Sequence, residues 1–345
     1  MVTSKDIAFA AGVSRGTVDR VLHNRGNVSP AKEKKIRELA QQMGYRPDTA
    51  GKVLAAKKKQ FKIGFCYLDS AFQCAICQGA KAYVHNLEQY GITVEFFAVN
   101  EFKHIRNEEW LQNFIQTTRH IDGWIFAGTT TKYILDGLNS YGISDKPIVF
   151  CGADLLPIEN KIGFVGCDYF QSGRLACGLA AIATQEKGKV CIISIGDELI
   201  DSCTMRIKGL EQEIQDSYPQ MEIVGKYFSQ KFPDYSAFES YVLGEIEALP
   251  AIDILYVVNP GDYSICKSLF PLEETKKFQI ITNDLVLEEE REWIHEKKLL
   301  GIICQSPEFQ GQKSLEIMFD YLVLGKKPAQ PWHKADLSVL IRENV

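Results

Sequence analysis

Hydrophobic residues in the first 44 positions recur at helical spacing in three short segments. A polar or small residue stands where each segment should begin or end. The residues expected to cap or end these helices are Ser4 and Gly12 for the first, Ser14 for the second, and Ser29-Pro30 and Gly44 for the third. Three short helices with a tight turn between the first two predict a helix-turn-helix.

From residue 61 onwards, the pattern changes to short apolar runs separated by amphipathic stretches. Runs such as KIGFCYL, ITVEFFAV and KVCIISIG are typical of buried strands. Strands that alternate with helices predict parallel sheets with helices on both faces. Roughly ten such strands are more than one sheet usually holds, so we expect two lobes. The predicted fold class is α/β: a small all-α head followed by a two-lobed parallel α/β body.

The length of 345 residues suits two or three domains. We expect a DNA-binding domain over residues 1–47, a linker over 48–60, and a ligand-binding and dimerisation body over 61–345. No run approaches 18 consecutive apolar residues, which argues against a membrane span. The first residues lack the pattern of a secretory signal, so the expected location is the cytoplasm.

Charge is distributed unevenly along the chain. Residues 1–60 contain thirteen Lys and Arg but five Asp and Glu, whereas the net charge of the whole chain is -5. A basic head on an acidic body is the electrostatic pattern of a nucleic-acid binder. Charge alone fits a basic solvated surface equally well.

The search for catalytic and metal-binding motifs finds little. Cys74 and Cys77 form a single C-x-x-C pair among ten cysteines, and no second pair completes a zinc site. Small buried thiols are the better interpretation, so we expect neither metal nor cofactor. Nucleotide-binding, metalloprotease and hydrolase signatures are absent from the sequence. A sugar-modifying enzyme and a free-standing transport protein are the alternatives to a regulator.

The second helix of a helix-turn-helix enters the major groove, where its first residues face base edges. In this chain those residues are Arg15, Gly16 and Thr17, with Arg20 one turn further on. Arginine can donate two hydrogen bonds to guanine. Thr17 suits a phosphate or a thymine methyl group, and Gly16 offers no side chain. The alternative role for both arginines is to keep the surface well solvated.

The run KDIAFAAGVSRGTVDRVLHNRGNVSPAKEKKIRELAQQMGYRP resembles the head of the LacI/GalR repressors over its whole length. The resemblance implies a hinge helix after Tyr45-x-Pro47 that folds on operator DNA. It further implies that a leucine, Leu54 here, enters the minor groove and kinks the duplex. It adds five residues to the expected DNA-binding set: Ser4, Ser14, Asn24, Tyr45 and Lys52.

Three positions depart from the usual pattern of that family: Asp19, Asp48 and Gly51. Asp48 can cap the hinge helix, but its charge would repel a nearby phosphate. Glycine in a short helix costs about 1 kcal/mol relative to alanine. We therefore expect a hinge helix that depends on DNA to fold. The following Lys57, Lys58 and Lys59 have two open interpretations, phosphate contacts or a solvated linker.

Ligands of open parallel sheets bind beyond the carboxyl ends of the strands. Polar residues stand at those predicted ends, and Arg206 is expected to open the helix after KVCIISIGD. The ligand-binding candidates are Asp69, Phe72, Asp154, Arg206, Asn259, Asp284 and Gln305, with Ser70, Gln73 and Asp197 nearby. Such groups suit a polyhydroxylated ligand, and Phe72 could stack on a sugar. Each residue taken singly could instead simply cap a helix.

The body resembles the type 1 periplasmic-binding-protein fold. Four sites in short islands of similarity match positions that hold pentoses and hexoses in the ribose-binding branch: Arg206, Asn259, Asp284 and Gln305. The resemblance implies a homodimer that reads a near-palindromic operator and responds to a small carbohydrate. Whether that effector releases DNA or promotes its binding is left open by the sequence.

Overall fold

The computed structural model describes residues 2–22, 26, 28–44, 49–100, 107–128, 132–141, 145–154, 158–195, 201–259, 261 and 263–345. Asn24, Tyr45, Asp48 and Asp197 lie outside these residues, so the expectations for them stay untested.

Three helices form the head, as the hydrophobic spacing predicts: α1 Ser4–Ala11, α2 Arg15–Leu22 and α3 Pro30–Gln42. They enclose a small apolar core built around Ile7, Val18 and Ile36. The first helix is capped by Thr3, so the prediction of Ser4 as its cap is wrong. Thr3 has extended backbone and accepts from the amide of Asp6, whose carboxylate accepts from Thr3 in return.

Helix α4, Thr49–Lys59, runs directly into the first strand of the body. One side of it packs on that body: Ala56 is buried and Val53 is partly buried against the same core. The ammonium group of Lys52 donates to the carbonyl oxygen of Leu324 at 2.6 Å. The body therefore provides contacts that stabilise this helix, which the sequence pattern did not reveal.

A six-stranded sheet, with every neighbouring pair parallel, forms the N lobe in the order β11-β5-β4-β3-β1-β2, in which the edge strand β11 is Trp332–Lys334. Alternate residues of its strands enter two apolar cores, one on each face. The elements are β1 Phe61–Leu68, α5 Ala71–Glu88, β2 Ile92–Val99, α6 Glu108–Thr117, β3 Gly123–Ala127, α7 Lys132–Ser140, β4 Ile148–Cys151 and β5 Lys161–Gly166.

A second sheet forms the C lobe in the order β12-β10-β9-β8-β6-β7, with β12 antiparallel to β10. It too has an apolar core on each face. The elements are α8 Tyr169–Thr184, β6 Lys189–Ser194, α9 Asp201–Ser217, β7 Glu222–Phe228, α10 Tyr235–Ala248, β8 Ile254–Asn259, α11 Ser264–Lys276, β9 Gln279–Asn283, α12 Glu289–His295 and β10 Gly301–Cys304.

The chain crosses between the lobes three times. It leaves the N lobe after β5, returns to it along helix α13 (Pro307–Leu322) and strand β11 (Trp332–Lys334), and finishes in the C lobe at β12 (Ser338–Leu340). The crossings are bonded to one another: Ser306 Oγ donates to the carbonyl of Asp336 at 3.1 Å. The two-lobed parallel α/β body predicted from the sequence is confirmed.

Each lobe contains a helix pair in which glycines allow the two backbones to touch. A Cβ atom on Gly311 of α13 would lie 1.9 Å from the carbonyl oxygen of Ile76 on α5. In the C lobe, a Cβ on Gly173 of α8 would lie 1.9 Å from the carbonyl oxygen of Arg206 on α9. Since Cβ atoms cannot approach backbone so closely, these glycines set the spacing of both pairs.

Gly311→Ala is therefore expected to lower the free energy of unfolding by about 1–3 kcal/mol through overpacking. Gly178→Ala is the matched control, because a Cβ at this helical glycine of α8 meets nothing within 4 Å. We expect the control to be neutral or to stabilise by up to about 1 kcal/mol. Urea unfolding followed by tryptophan fluorescence measures both, and equal stabilities for the two variants would contradict the close-packing argument.

Candidate DNA-binding face and effector site

The N-terminus of α2 is organised by Ser14, as predicted. Its hydroxyl accepts from the amide of Thr17 at 3.2 Å and lies 2.9 Å from the Thr17 hydroxyl. Gly16 follows with an exposed backbone and no side chain. The first turn of α2 therefore ends in a fixed, solvent-facing surface, the geometry in which such helices meet base edges.

Two arginines extend from this surface. Arg15 donates from Nε to the hydroxyl of Ser4 at 3.2 Å and lies 3.7 Å from the Asp19 carboxylate. Arg20 donates from Nε to the carbonyl of Gly16 at 3.2 Å. Both side chains are exposed, so their remaining donors face solvent. Asp19, a departure from the usual pattern, thus orients Arg15, and base contacts by either arginine stay a prediction.

Helix α4 presents Leu54 outward. The side chain of Leu54 is 58% exposed, whereas Val53 and Ala56 face the body. Of the three following lysines, Lys59 lies 3.7 Å from Asp122 and over the ring of Phe61. Lys57 and Lys58 are exposed. Lys52, proposed above as a DNA contact, has one donor directed at Leu324, and its DNA role stays a prediction.

A buried polar cluster lies where the C-lobe strands end. Arg206 is 3% exposed, and its Nη2 lies 3.5 Å from Asp284 Oδ2. The amide of Gln305 donates to both oxygens of that carboxylate, at 3.0 and 3.1 Å. Three of the residues predicted from the sequence are thus brought together. Arg206 stands in the second turn of α9, so the prediction that it opens the helix is wrong.

Burial and ion pairing act against each other in this cluster. Burial lowers the pKa of Arg206, but the neighbouring Asp284 carboxylate outweighs it, and the pKa stands above its ordinary value. Burial raises the pKa of Asp284, and Arg206 and Gln305 oppose that rise. Because arginine stays protonated in proteins, we describe the two as an ion pair at neutral pH.

The backbone at Asp284 is strained and held in place. Asp284 has a φ of 65°, which side-chain-bearing residues rarely adopt. The hydroxyl of Tyr263 donates to the carbonyls of Asn283, at 2.7 Å, and Asp284. Glu290, fully buried below the loop, accepts from the amide of Val286 at 2.8 Å. These contacts fix the direction in which the Asp284 carboxylate points.

Tyr169 of α8 links the cluster to the N lobe, and Gln73 lies beside the ends of two N-lobe strands. The guanidinium of Arg206 lies 5.2 Å from the ring centroid of Tyr169, whose hydroxyl donates to the carbonyl of Gly152. A Cβ on Gly152 would lie 3.8 Å from Gln73 Nε2, and one on Gly128 3.1 Å from the same atom. The residue that follows β4 is thereby joined to the C-lobe cluster through Tyr169.

The other predicted ligand residues are placed differently. Asn259 donates to the carbonyl of Ile195 at 2.8 Å and joins the ends of β8 and β6. Phe72 packs partly buried in the first turn of α5, and Asp69 is exposed before it. Asp154 is bonded to Lys161 at 2.5 and 2.7 Å, and the structure does not join it to the cluster.

A cavity of about 430 Å³ opens between the lobes, and its lining residues do not include Arg206, Asp284 or Gln305. Its walls are the first turns of α5, the loop after Asp284, and Glu308 of α13, and this size suits a small molecule.

Sequence reasoning missed several members of this site. Gln310 is fully buried, and its amide donates to the carbonyl of Gln305 at 2.7 Å. The thiol of Cys167 donates to Gln305 Oε1 at 3.2 Å. Tyr169 also went unnoticed, although it directly follows Asp168, which caps α8 at a strand end. That position was the one signal available in the sequence.

The cysteines behave as small buried side chains: all ten are free and nine are buried. Within the described residues, no three His, Cys, Asp or Glu side chains form a group that could hold a metal ion. No helix in that part of the chain is both long and apolar enough to cross a membrane.

Comparison with known families assigns both parts of the chain. Residues 3–48 match the bacterial regulatory proteins of the lacI family, and residues 153–327 match the periplasmic binding protein domain. The chain belongs to the LacI family of regulators, with a periplasmic-binding-protein body. The resemblance stated from the sequence is therefore confirmed, and the relatives of this LacI-family chain are transcription regulators rather than enzymes.

Individual LacI-family relatives are distant. Catabolite control protein A of Priestia megaterium is 29% identical over 174 residues, which are 50% of this chain and 49% of that protein. The ribose operon repressor of Lactococcus lactis is 29% identical over 196 residues, 56% of this chain and 54% of the repressor. The match thus spans about half the length of each. A crystal structure of a LacI transcriptional regulator from Bacteroides fragilis shares the fold, with a TM-score of 0.68 and 19% identity over 83% of this chain and 98% of that one.

Glu290 makes the stability of the body depend on pH. Burial raises the pKa of Glu290 to about 7, while hydrogen bonds from the amides of Val286 and Leu287 oppose the rise. The folded state then binds more protons than the unfolded state between the ordinary pKa of 4.5 and about 7. The contribution of Glu290 to the free energy of unfolding is therefore fully present below pH 4.5. It is lost as the pH rises towards 7, which lowers the free energy of unfolding by about 3 kcal/mol in total.

Glu290→Gln should remove this dependence. Its free energy of unfolding relative to the native chain is expected to rise from pH 4.5 to 8 by up to about 3 kcal/mol. The control is Glu292→Gln, an exposed position on the same helix, for which the difference should stay flat. Urea unfolding at several pH values measures both, and a flat difference for Glu290→Gln would show that its carboxyl is already ionised at little cost.

Proposed function

We propose that this protein is a transcriptional repressor whose binding to operator DNA is controlled by a small carbohydrate, of pentose or hexose size. The observation that carries the proposal is the buried Arg206–Asp284–Gln305 cluster in the cleft of a chain that also has a helix-turn-helix head. A cluster of this kind donates and accepts paired hydrogen bonds to adjacent hydroxyl groups.

The DNA-binding half of the proposal rests on the head. Arg15 and Arg20 extend from the first turns of α2, and α4 holds Leu54 towards solvent. Two heads of a homodimer would read the two halves of a near-palindromic operator. Relatives named catabolite control protein A and ribose operon repressor support a regulatory role.

The sensing half rests on the cleft. The ring of Tyr169 faces Arg206 of the C lobe and its hydroxyl donates to the carbonyl of Gly152 in the N lobe, so a ligand bound there contacts both lobes. A ligand that binds one arrangement of the lobes more tightly shifts the population towards it and changes operator affinity by the same free energy. The name of the ribose operon repressor supports a sugar as that ligand.

Leu54→Ala should weaken operator binding without changing effector binding. Loss of an apolar wedge removes contacts that offset base unstacking, so we expect an affinity loss of about tenfold or more. The operator is first selected from random duplex DNA by the native protein, and affinities follow by fluorescence anisotropy. Ile182→Ala, at an apolar residue of α8 that is 80% exposed, is the control and should bind the operator normally.

Failure of the native protein to select any sequence would overturn the DNA-binding half. An unchanged operator affinity for Leu54→Ala would remove this residue from the interface.

Asp284→Asn should abolish the effect of the effector on operator binding while operator binding itself persists. The substitution leaves the buried Arg206 charge uncompensated and weakens acceptance from Gln305. Asp154→Asn is the matched control, since that carboxylate is bonded to Lys161 outside the cluster. Anisotropy titrations with and without effector measure both, and loss of the response in Asp154→Asn alone would relocate the site.

A further inference from the structure

Cys74 and Cys77 stand one turn apart near the start of α5, outside the polar cluster described above. All ten cysteines lie within the described residues, and Cys74 is the one among them that is not buried. Cys74 also lines the cavity between the lobes, so a small molecule in that cavity can reach its thiol. The pair therefore combines an accessible thiol with a buried one.

The side chains around the pair provide for thiol chemistry. The Cys74 thiol donates to Asp69 Oδ1 at 3.8 Å, so a carboxylate is placed to take its proton. Burial raises the pKa of the Cys77 thiol, and hydrogen bonds from Tyr67 and Lys81 oppose that rise. The positive charge of Lys81 stabilises the thiolate that Cys77 needs in order to attack a disulfide.

Both thiols are slow nucleophiles at neutral pH. Burial and the Asp69 carboxylate raise the pKa of Cys74, and Cys77 adds to that rise because it lies close by. Since the thiolate is the attacking species, exchange with an oxidant is slow and speeds up as the oxidant becomes more concentrated. The pair therefore suits a response to sustained oxidation rather than a catalytic cycle.

Cys77 lies in a part of α5 that α13 holds in place. A Cβ on Gly79 would lie 2.2 Å from the carbonyl oxygen of Glu308, and Gly311 touches the backbone of Ile76 one turn earlier. Cys77 stands between these two contacts and is 1% exposed. Its sulfur therefore has a fixed position.

Cys74 lies in the first turn of the same helix, before both of those contacts. The side chain of the N-cap residue Ser70 makes no capping hydrogen bond, so this turn lacks a bond that commonly fixes a helix start. Residues three apart on a helix have Cβ atoms about 5–6 Å apart, whereas a disulfide needs about 3.5–4.5 Å. A bond between the two cysteines therefore draws the first turn, with Phe72 and Gln73, towards Cys77.

We propose that Cys74 and Cys77 form a reversible disulfide with each other, with a low-molecular-weight disulfide as the oxidant, and that this bond displaces the first turn of α5. Gln73 Nε2 would lie 3.1 Å from a Cβ on Gly128, so the displacement changes the packing at the end of β3. The body thus contains a redox-responsive modification site that is separate from the Arg206 cluster.

The exchange with glutathione disulfide proceeds in two steps. Cys74 Sγ attacks one sulfur of the oxidant, its proton passes to Asp69, and the S–S bond of the oxidant breaks to release one glutathione thiolate. Cys77 Sγ then loses its proton, attacks Cys74 Sγ in the mixed disulfide and releases the second glutathione. The two released thiolates take up the two protons, so the pair loses two hydrogens and the oxidant is reduced to two thiols.

Incubation of the full-length protein in glutathione buffers of graded oxidised-to-reduced ratio tests the site. Acid quenching, alkylation of the remaining thiols and mass spectrometry of proteolytic peptides locate each disulfide. We expect a Cys74–Cys77 disulfide in a predominantly oxidised buffer, its full reversal by dithiothreitol, and alkylation of the other cysteines. Absence of this disulfide in the oxidised buffer would overturn the proposal.

Two variants separate the steps of the exchange. Cys77→Ala should stop after the first step and accumulate a mixed disulfide of one glutathione on Cys74. Cys74→Ser should take up no glutathione on Cys77, since that thiol is buried. Cys66→Ala is the control and should oxidise as the native chain does, because the core around Cys66 contains no other described cysteine. A glutathione adduct on Cys77 in Cys74→Ser would contradict the order of attack.

Hydrogen–deuterium exchange measures the displacement. We expect the amides of residues 71–75 to exchange about tenfold faster or more in the oxidised protein than in the reduced protein, since the first turn loses helical hydrogen bonds. The amides after Gly79 should exchange alike in both forms, because α13 holds that part of the helix. Equal exchange across the whole of α5 would overturn the displacement. Neither DNA nor an effector takes part in these measurements, so their failure leaves the proposed function standing, and failure of the proposed function leaves this site standing.

Discussion

The burial of one guanidinium is the constraint on which the body depends. Arg206 is almost without solvent exposure, and a buried charge of this kind costs several kcal/mol unless a partner compensates it. Asp284 supplies the compensation from a loop that Tyr263 and Glu290 hold in a strained backbone conformation. The close approach of α8 to α9 at Gly173 packs against the backbone of Arg206. The ion pair, the strained loop and the spacing of the two helices therefore depend on one another, and together they make the site rigid.

Helix α13 connects this arrangement to α4. Near its first turn, Gln310 donates to Gln305, which in turn holds Asp284. Just past its last residue, the carbonyl of Leu324 accepts from Lys52 of α4. Close-packed interfaces transmit strain, and α13 is packed in this way on α5 through Gly311. A displacement at Gln305 would therefore act through α13 on the helix that carries Leu54.

Much of the fold could be predicted because buried parallel strands are continuous apolar runs. The strand Ile92–Val99 has the bounds that the apolar run ITVEFFAV predicts. The prediction of Ser4 as the cap of α1 was wrong because Thr3 and Ser4 are both good caps, and only the backbone conformation decides between them. Arg206, Asp284 and Gln305 were found because polar residues at strand ends share an edge of the sheet. Asp154 satisfied the same rule, but its pairing with Lys161 is a tertiary contact. Gln310 could not be found, since a glutamine inside a helix has no distinctive local pattern.

Helix α4 shows why the exposure of a side chain must be judged together with its surroundings. Ile182 is more exposed than Leu54, yet it lies on a helix of the body with no basic cluster beside it. Leu54 stands on a helix whose opposite side is packed on the body through Val53 and Ala56, and exposed Lys57 and Lys58 follow it directly. This packing offsets part of the free-energy cost of Gly51 in the helix, which is about 1 kcal/mol. It also fixes the position of Leu54 relative to the body. A DNA duplex is a polyanion with an apolar interior. It would cover an apolar side chain that is held rigidly in solvent beside free positive charge.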